Sequence, residues 1–566
     1  MPSIPPDKGD AHSNQRLRPL FAVGAALTAL SLLMLWPLPL IFGGGMLGGG
    51  DAFVFTWNFW WFHKALAAGH NPFVTDRLFH PTGTTLWFHD FSPFNDLLVL
   101  PWVGHVPLTT LYNAVALFTF VATGLAMYAL ARRVVGHVGG SFLAAVIVTF
   151  APYRMAHAAG HLSLLSTEWL PVFILFTLRT VEEKTWRNPL LAALAWALCL
   201  FCSPYYALYP AFFLVAWLPL RAWRARAAWG RTPGGGVPRD AWARLLAIPA
   251  AVVLFTAWFT VPALASLHGA QSGIQGHNPA EFSADLLTFI APSPVSLFYL
   301  PPFSDWWHNA GLYSYWPELS CYVGVVLLTL SVVGFVKCPE ARAWVVLGAV
   351  FFVLSLGPSL RVFGHDTGLP LPYLLVTKLP VARISGVPAR FVVMMTICLA
   401  LAAGHGAAAL AQGRWRNCEW LLVGVVCVEY CCAPVDITTL PAPGWYTQLR
   451  AEPGDFAVLD VPDLSAAMHW QTYHGKSLLR ADTSYTPAYA TRFTEDDKAL
   501  RALWVTWAKC PEWPGVGEHV RQALRGVDCH YVIAHGDFRR DYLERVLGLR
   551  KVYEDAEMRV YSTDEP

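Results

Sequence analysis

Long apolar runs separated by polar segments form the main pattern of this chain. The first run covers residues 20–42, and the later ones lie near 108–131, 139–152, 168–180, 189–203, 205–220, 245–267, 318–336, 343–357, 391–411 and 420–434. A helix of about 20 apolar residues crosses the roughly 30 Å core of a bilayer, so the pattern predicts a mainly α, polytopic membrane helical bundle of about 11 spans. Several runs are too short to cross unaided, which leaves the span boundaries open.

The composition supports a membrane protein and excludes a nucleic-acid-binding one. Of the 566 residues, 55% are hydrophobic and 14% are charged, whereas a soluble domain carries about 25% charged residues. The first run is about 23 residues long, which is too long for the core of a cleavable signal and suits a membrane anchor. The formal net charge is only +2, and no basic stripe with interleaved aromatic residues is present.

The positions of the basic residues predict the orientation of the spans. Lys and Arg gather in alternate short loops, whereas the long loop 268–316 contains neither. Because short basic loops stay in the cytoplasm, we expect a cytoplasmic segment 1–19 and a multi-pass protein of the plasma (inner) membrane. The loops 43–107, 268–316 and 358–390 then face outward. The aromatic residues of the first two loops predict amphipathic helices lying on the membrane surface.

The pattern changes after the last apolar run. Strands are predicted at 456–462, 476–480, 530–534 and 558–561, with helices at 496–509 and 516–525. We therefore predict a transmembrane module over 20–434, followed by an extracytoplasmic α/β domain over 435–566. Cys510 and Cys529 could form a disulfide in that compartment.

One acidic residue in the first outward loop is a candidate for chemistry. Asp51 follows the glycine-rich segment 43–50 and precedes an aromatic stretch that includes Trp57 and Trp61 at helical spacing. A carboxylate at a hydrophobic, aromatic-walled interface is desolvated, which raises its pKa and makes it a better base. The faces of the two Trp rings suit sugar rings. The alternative role for Asp51 is a solvated helix N-cap.

The motifs around Asp51 resemble those of a known superfamily. They are Gly49-Gly50-Asp51-Ala52 with the following tryptophans, Asn71-Pro72-Phe73, Pro81-Thr82-Gly83, and the segment 469–476 near the C-terminus. With the many spans and the large first outer loop, this set resembles the GT-C superfamily of integral-membrane glycosyltransferases, which use polyprenyl-phosphate sugars. The likeness covers nearly the whole chain, and Asp51 is its most specific element.

The resemblance implies a reaction and its partners. We expect a GT-C-type glycosyltransferase that moves a sugar from a polyprenyl-phosphate donor to an envelope glycan or lipid acceptor, at the outer face of the membrane. Asp51 is then the base, and in-line displacement inverts the anomeric centre. Asp90, later in the same loop, is the candidate second carboxylate, with Asp96 as its alternative. No cofactor is required with certainty, and a divalent metal oriented by Asp90 remains an open alternative.

Basic residues supply candidates for binding the donor. On a continuous helix, Arg154, His157 and His161 would share one face and could line a polar cleft for phosphate or sugar. Ordinary interfacial histidines are the alternative, and the acid of a zinc-protease motif is absent. Arg383 and Arg390 lie in an outward loop next to a span, where an arginine without an anion is costly. We expect these two to bind the donor phosphate, with lipid headgroup anchoring as the alternative.

A polytopic transporter or a non-enzymatic envelope-assembly protein is the rival class. A transporter would carry ionisable residues inside its spans or show an inverted repeat. The sequence has no such repeat. Glu429, in the last apolar run, is the main charged residue inside a span, and the enzyme hypothesis does not explain it.

Overall fold

The computed structural model describes residues 9–227, 237–269, 277–312, 315–379, 386–412, 416–439 and 444–564. The chain forms two compact units. The first comprises Met1–Phe42, Asn113–Ala257 and Gln275–Ile437, and the second comprises Gly43–Tyr112, Trp258–Ile274 and Thr438–Pro566. Residues 43–112, which the sequence analysis assigned to the transmembrane module, thus belong to the same unit as the C-terminal residues.

The secondary structure is mainly helical. The helices, in chain order, are α1 Gly9–Met34, α2 Asp51–Ala67, α3 Pro93–Val99, α4 Leu108–Val134, α5 Val138–Thr149, α6 Pro152–His157, α7 Leu162–Leu165, α8 Trp169–Glu182, α9 Arg187–Cys202, α10 Tyr209–Ala227, α11 Arg239–Gly269, α12 Phe303–Asn309, α13 Val325–Lys337, α14 Pro339–Ser355, α15 Tyr373–Val376, α16 Val392–Leu410, α17 Cys418–Glu429, α18 Gly444–Ala451, α19 Leu464–His474, α20 Ala488–Glu495, α21 Lys498–Ala502 and α22 Val516–Arg525. The strands are β1 Met46–Leu47, β2 Val74–Thr75, β3 Thr84–Thr85, β4 Ser359–Val362, β5 His365–Pro370, β6 Ile437–Thr438, β7 Ala457–Val461, β8 Ser477–Leu478, β9 Cys529–His535, β10 Arg550–Glu554 and β11 Met558–Ser562.

Several helices have the length and composition of membrane spans. Within the described ranges, five segments are long and apolar enough to cross a bilayer: Leu108–Val134, Val138–His157, Leu162–Glu182, Arg239–Ser266 and Pro388–Leu410. Shorter apolar helices occupy Leu20–Met34, Arg187–Cys202 and Val325–Lys337. These helices support a multi-pass membrane protein, and the count of about 11 spans stays a prediction.

Helix α16 forms the centre of the first unit. Its residues from Val392 to Ala408 are all buried, and it packs against α5, α13 and α14. A Cβ atom added to Gly140 of α5 would lie 2.4 Å from the carbonyl oxygen of Gly404 in α16. Small residues of this kind let helices approach closely inside a membrane. The high hydropathy of α16 therefore reflects contacts between helices.

Glu429, which the sequence places inside the last apolar run, caps a helix. Its Oε1 atom accepts hydrogen bonds from the Tyr322 hydroxyl (2.8 Å) and from the backbone N–H of Val325. Its Oε2 atom accepts one from the N–H of Val326 (3.3 Å). Val325 and Val326 open α13, where backbone N–H groups lack intrahelical acceptors and a negative charge is stabilised. This structural role accounts for a charge that otherwise favoured a transporter.

The C-terminal part of the second unit contains a mixed sheet. Its five strands have the order β10-β11-β9-β7-β8. Strand β7 pairs in parallel with both β8 and β9, whereas β11 is antiparallel to β9 and to β10. Strands occur at the four predicted positions, and β10 is an addition. The predicted helix 496–509 is limited to α21, Lys498–Ala502. Cys510 and Cys529 are not joined in a disulfide.

The first predicted outer loop is built into this second unit. Helix α2 packs against α19: the Trp57 indole N–H donates to Gln471 Oε1 (2.6 Å), and Thr56 Oγ1 lies 2.7 Å from His469 Nδ1. Leu78 forms a parallel bridge with Leu478 of β8. The expectation that 43–107 lies on the membrane surface stays a prediction, while the aromatic residues of α2 are mostly buried against protein. Aromatic residues at helical spacing look alike whether they face a lipid interface or a protein interior.

Candidate functional site

Asp51 occupies the first position of α2 and is exposed to solvent. The N-cap residue is Gly50, whose φ of 54° favours glycine. Asp51 is therefore not the N-cap residue, which was the alternative role predicted for it. A carboxylate in the first turn of a helix is stabilised by the helix dipole, and this one is also accessible to a substrate.

Asp482 is a second acid near Asp51, which the sequence analysis missed. It lies four residues after β8, and its Oδ2 atom accepts a hydrogen bond from Ser465 Oγ (2.7 Å). Desolvation by the surrounding protein raises the pKa of Asp482, and the negative charge of Asp51 raises it further, although solvent still reaches the residue. One signal could have found it, because ligand-binding residues commonly follow the carboxyl ends of parallel strands.

His89 connects these two segments as a neutral side chain. Burial lowers the pKa of His89 to about 3, although the nearby Asp51 carboxylate acts in the opposite direction. Its Nδ1 atom accepts a hydrogen bond from the backbone N–H of Ser484 (3.4 Å), and its Nε2 atom lies 3.1 Å from Asn58 Oδ1. These contacts assign the ring proton to Nε2. His89 thereby ties the segment that carries Asp482 to helix α2.

Asp90 lies beside His89 and is partly buried. Its backbone oxygen accepts a hydrogen bond from Asn58 Nδ2 (3.0 Å). Asp96, the alternative second carboxylate, is buried within α3. Burial raises the pKa of Asp96, and the charge of Asp90 raises it further. Asp90 and Asp96 thus form an electrostatically coupled pair next to the Asn58–His89 contact.

Trp57 and Trp61 lie in the interior of the second unit. Trp57 is 0% exposed and Trp61 is 4% exposed. Their rings stack on each other, with centroids 5.9 Å apart, and the indole N–H of Trp61 donates to the carbonyl of Pro72 (2.9 Å). Ring faces covered in this way do not meet a sugar in this conformation, contrary to their predicted role. Their positions suit a part in holding α2 in place.

A buried ionic cluster occupies the first unit. Arg390 donates from Nε and Nη2 to the two carboxylate oxygens of Glu318, the Nε contact measuring 2.8 Å. Its guanidinium also lies over the Tyr205 ring, 4.0 Å from the centroid. The Nε2 atom of His157 is 3.5 Å from Glu318 Oε2. Glu318 opens the apolar run 318–336, and no motif in the sequence marks it as a site residue.

The remaining donor group of Arg390 is the notable feature of this cluster. Its Nη1 atom is buried without a hydrogen-bond partner among the described residues. Orphaned buried donors are uncommon and costly, and a guanidinium fork matches phosphate oxygens. Arg390 therefore keeps one donor available for an anion while Glu318 holds the other two.

Arg154 donates its side-chain hydrogen bonds to backbone carbonyls, which indicates a structural role. Its Nη1 donates to the carbonyl of Thr149, and its Nε and Nη2 donate to that of Leu165 (3.3 and 2.8 Å). These carbonyls lie where the helical path breaks between α5 and α8. Irregular backbone at membrane depth must have its polar groups satisfied by protein. The donors of Arg154 are thus used within the fold, in contrast to its predicted role in lining a cleft for phosphate or sugar.

The expected common face of Arg154, His157 and His161 is not formed. Helix α6 ends at His157, and a turn through Gly160 precedes α7. His157 also places its Nδ1 atom 2.8 Å from the carbonyl of Tyr153. His161 is partly exposed, and its ring is edge-on to that of His157 at 5.2 Å. Arg383 lies outside the described residues.

A metal site is not evident from the arrangement of ligand-type side chains. Among the residues that the structure describes, no group of three or more His, Cys, Asp or Glu side chains is placed to hold a metal ion. The divalent metal therefore remains the open alternative that the sequence left.

The sequence matches one described protein family. A family described as a domain of unknown function, DUF6311, matches residues 21–431, which is most of the chain. The chain belongs to the DUF6311 family. No curated protein matches this DUF6311 chain.

Solved structures show which fold the DUF6311 chain has. Arabinofuranosyltransferase AftD from Mycobacteria is similar with a TM-score of 0.59 and 15% identity, over 97% of this chain and 42% of AftD. A second AftD structure gives 0.59 and 13%, over 97% and 41%. The chain thus spans less than half the length of AftD. ArnT from Cupriavidus metallidurans is more distant, with a TM-score of 0.45 and 12% identity over 98% of both chains.

The similarity to AftD shows the fold and no more at this identity. AftD is a GT-C glycosyltransferase, so the fold expected from the resemblance to the GT-C superfamily is confirmed. The DUF6311 protein therefore has the fold of GT-C membrane glycosyltransferases.

Proposed function

We propose that this protein is an integral-membrane glycosyltransferase of GT-C type. It moves a sugar from a polyprenyl-phosphate donor to an envelope glycan or lipid acceptor, at the outer face of the plasma membrane. The observation that carries the proposal is the solvent-accessible Asp51 at the start of α2, electrostatically coupled to Asp482, in a chain with the GT-C fold.

Asp51 acts as the general base in this proposal. Its carboxylate takes the proton of the acceptor hydroxyl while the hydroxyl oxygen bonds to the anomeric carbon, on the side opposite the phosphate. The bond between that carbon and the phosphate oxygen breaks, and polyprenyl phosphate leaves with the electron pair. One in-line displacement inverts the anomeric centre.

Asp482 and Asp90 are proposed to orient the acceptor. Asp482 interacts electrostatically with Asp51, and its carboxylate is held by Ser465. Asp90 is held through its backbone by Asn58, the residue that also meets His89. Carboxylates held on packed segments can accept hydrogen bonds from sugar hydroxyls without reorganising, which is the preorganisation that transfer reactions need.

The first unit is proposed to bind the donor phosphate through Arg390. Its Nη1 atom is buried and unpaired among the described residues, and Glu318 neutralises its charge when no phosphate is bound. His157 lies beside Glu318 and His161 beside His157, and both are further candidate donors. Arg383 keeps its proposed part in the same role on the sequence argument alone. Trp57, Trp61 and Arg154 are proposed to support the fold instead.

The proposal is tested by giving the purified protein a sugar donor and candidate acceptors and measuring sugar transfer. Purified full-length protein in nanodiscs is incubated with a radiolabelled polyprenyl-phosphate monosaccharide and a mixture of envelope glycolipids. A glycosyltransferase releases free polyprenyl phosphate in step with labelled glycolipid. Uptake of the intact donor into protein-containing vesicles, with no cleavage for any sugar tried, would point to the transporter class instead.

A further inference from the structure

A polar cavity lies at the end of α16 remote from Arg390. It is formed where α4, α5, α13 and α16 end or begin, and its volume is about 510 Å³. The described residues that line it are Val135, Gly136, His137, Lys337, Cys338, His405, Ala408, Ala409 and Gln412. Cavities of roughly 300–1,000 Å³ commonly hold a ligand. His405 lies 15 residues beyond Arg390, so at about 1.5 Å per residue the cavity begins roughly 22 Å from Arg390 along the helix.

His405 is the residue of this cavity that most needs a partner. It stands in the otherwise apolar helix α16, is only 8% exposed, and has an Nε2 atom without a hydrogen-bond partner in the described part of the chain. An ionisable side chain inside a membrane-spanning helix is expensive and usually functional. Its neighbours Gly404 and Gly406 lie against α5 and α13, respectively. Because of these two contacts, His405 lies between α5 and α13, where the cavity opens.

The other polar groups of the cavity are suited to an anion. Lys337 carries a positive charge, and Gln412 offers an amide N–H. His137 accepts the backbone N–H of Gly140 at Nδ1 (3.1 Å), which leaves its Nε2 as a donor. No acidic residue is among the described residues that line the cavity. Glu340, which is exposed three residues beyond Lys337, is a nearby carboxylate that acts on His405.

We propose that this cavity binds a phosphate oxyanion, with His405, Lys337 and His137 as donors. The occupant that fits best is the phosphate of an anionic membrane lipid. The cavity opens where helices of spanning length end, and Val135, Ala408 and Ala409 provide apolar surface beside the polar donors. The proposal concerns a second site and does not depend on the transfer reaction proposed above.

Binding is measured on the purified full-length protein in a neutral detergent, as the rise in Tm with ligand concentration. The probes are dioctanoyl phosphatidylglycerol, dioctanoyl phosphatidylcholine and inorganic phosphate. The anionic lipid should raise the Tm saturably, and phosphatidylcholine should not. Lys337→Gln and His405→Gln should each weaken binding about tenfold or more, since each removes a hydrogen bond to a charged group. Arg342→Gln, which removes an exposed charge outside the cavity lining, is the matched control and should bind like wild type.

The comparison of the anionic lipid with inorganic phosphate identifies the source of the oxyanion. Tighter binding of the lipid than of inorganic phosphate, with both weakened by Lys337→Gln, supports a lipid headgroup. Equal binding of the two, with the same dependence on Lys337, supports free phosphate in the same site. Because Lys337 is exposed, its replacement should fold even if His405→Gln does not. The proposal is overturned if wild type and Lys337→Gln bind the anionic lipid and phosphate equally, or if neither probe binds.

Discussion

The two buried arginines of the first unit show how contacts, and not residue type, decide a role. The donors of Arg154 all meet backbone carbonyls at a break in the helical path. The donors of Arg390 meet a carboxylate, and one is unpaired among the described residues. Sequence position alone predicts a cleft for phosphate or sugar at Arg154 and a phosphate at Arg390. A buried arginine near lipid needs an anion or carbonyl groups as partners, and the sequence does not show which.

Replacement of Arg390 should reduce donor affinity independently of stability. Arg390→Ala leaves Glu318 as an uncompensated buried charge, which should cost about 3–5 kcal/mol of stability. The double variant Arg390→Met with Glu318→Met removes both charges, so it should recover most of that stability while binding donor as poorly as Arg390→Ala. Thermal unfolding and equilibrium binding of a polyprenyl-phosphate sugar measure the two effects. Wild-type affinity in the double variant would remove Arg390 from phosphate binding.

His89 should make stability depend on pH. Its pKa is about 3 in the folded protein and about 6.5 in an unfolded chain. The unfolded state therefore binds more protons between these values, so the contribution is complete above pH 6.5 and is lost as the pH falls toward 3. His89→Gln should lose stability less steeply than wild type between pH 6.5 and 4.5. Burial also lowers the pKa values of His469 and His474 to about 4. These two residues contribute the same pH dependence to both proteins, so the difference between the two stability curves reports His89. Identical slopes would contradict a neutral buried His89.

At the scale of elements, the positions of helices and strands can be predicted from the sequence, but which elements pack against each other cannot. Each apolar run contains a helix, and strands occur at the four predicted C-terminal positions. The pattern could not show that α2 packs on α19, more than 400 residues later. Asp482 was missed for the same reason, since its segment is joined to that of His89 by a hydrogen bond from Ser484, nearly 400 residues away in sequence. Asp51 could be found because a glycine-rich turn and an aromatic helix surround it locally.

The contact between α2 and α19 should depend on Gln471. Its side chain accepts from Trp57 and donates to the carbonyls of Arg77 and Lys476. Gln471→Ala leaves these buried groups unpaired, so it should cost about 1–3 kcal/mol or more of stability. Gln522→Ala, at an exposed position of α22, should change stability by less than about 0.5 kcal/mol. Thermal unfolding compares the two variants, and an equal, small effect in both would show that Gln471 does not hold the elements together.

At the scale of the whole molecule, the fold is that of GT-C membrane glycosyltransferases, and the orientation in the membrane is a prediction. It rests on short, arginine-rich loops that alternate with long loops, of which 43–107 and 268–316 together contain only Lys64 and Arg77 as Lys or Arg residues. Alkaline phosphatase is active only after export, so its fusion after residue 564 should be active, and the matching green fluorescent protein fusion should be dark. The opposite pattern would place Asp51 and Asp482 on the cytoplasmic side, away from the donor as proposed.

The role of Asp51 as general base is the central claim, and a single substitution tests it most directly. Asp51→Asn keeps the shape and polarity of the side chain but cannot accept a proton, and loss of a general base typically costs about 10²–10⁴-fold in rate. The variant should fold, bind donor like wild type and transfer labelled sugar at least about 100-fold more slowly at equal abundance. If Asp51 only stabilises the start of α2 through the helix dipole, Asp51→Asn should cost at most about 1 kcal/mol of stability and leave the transfer rate unchanged. Transfer at the wild-type rate by Asp51→Asn would contradict the account.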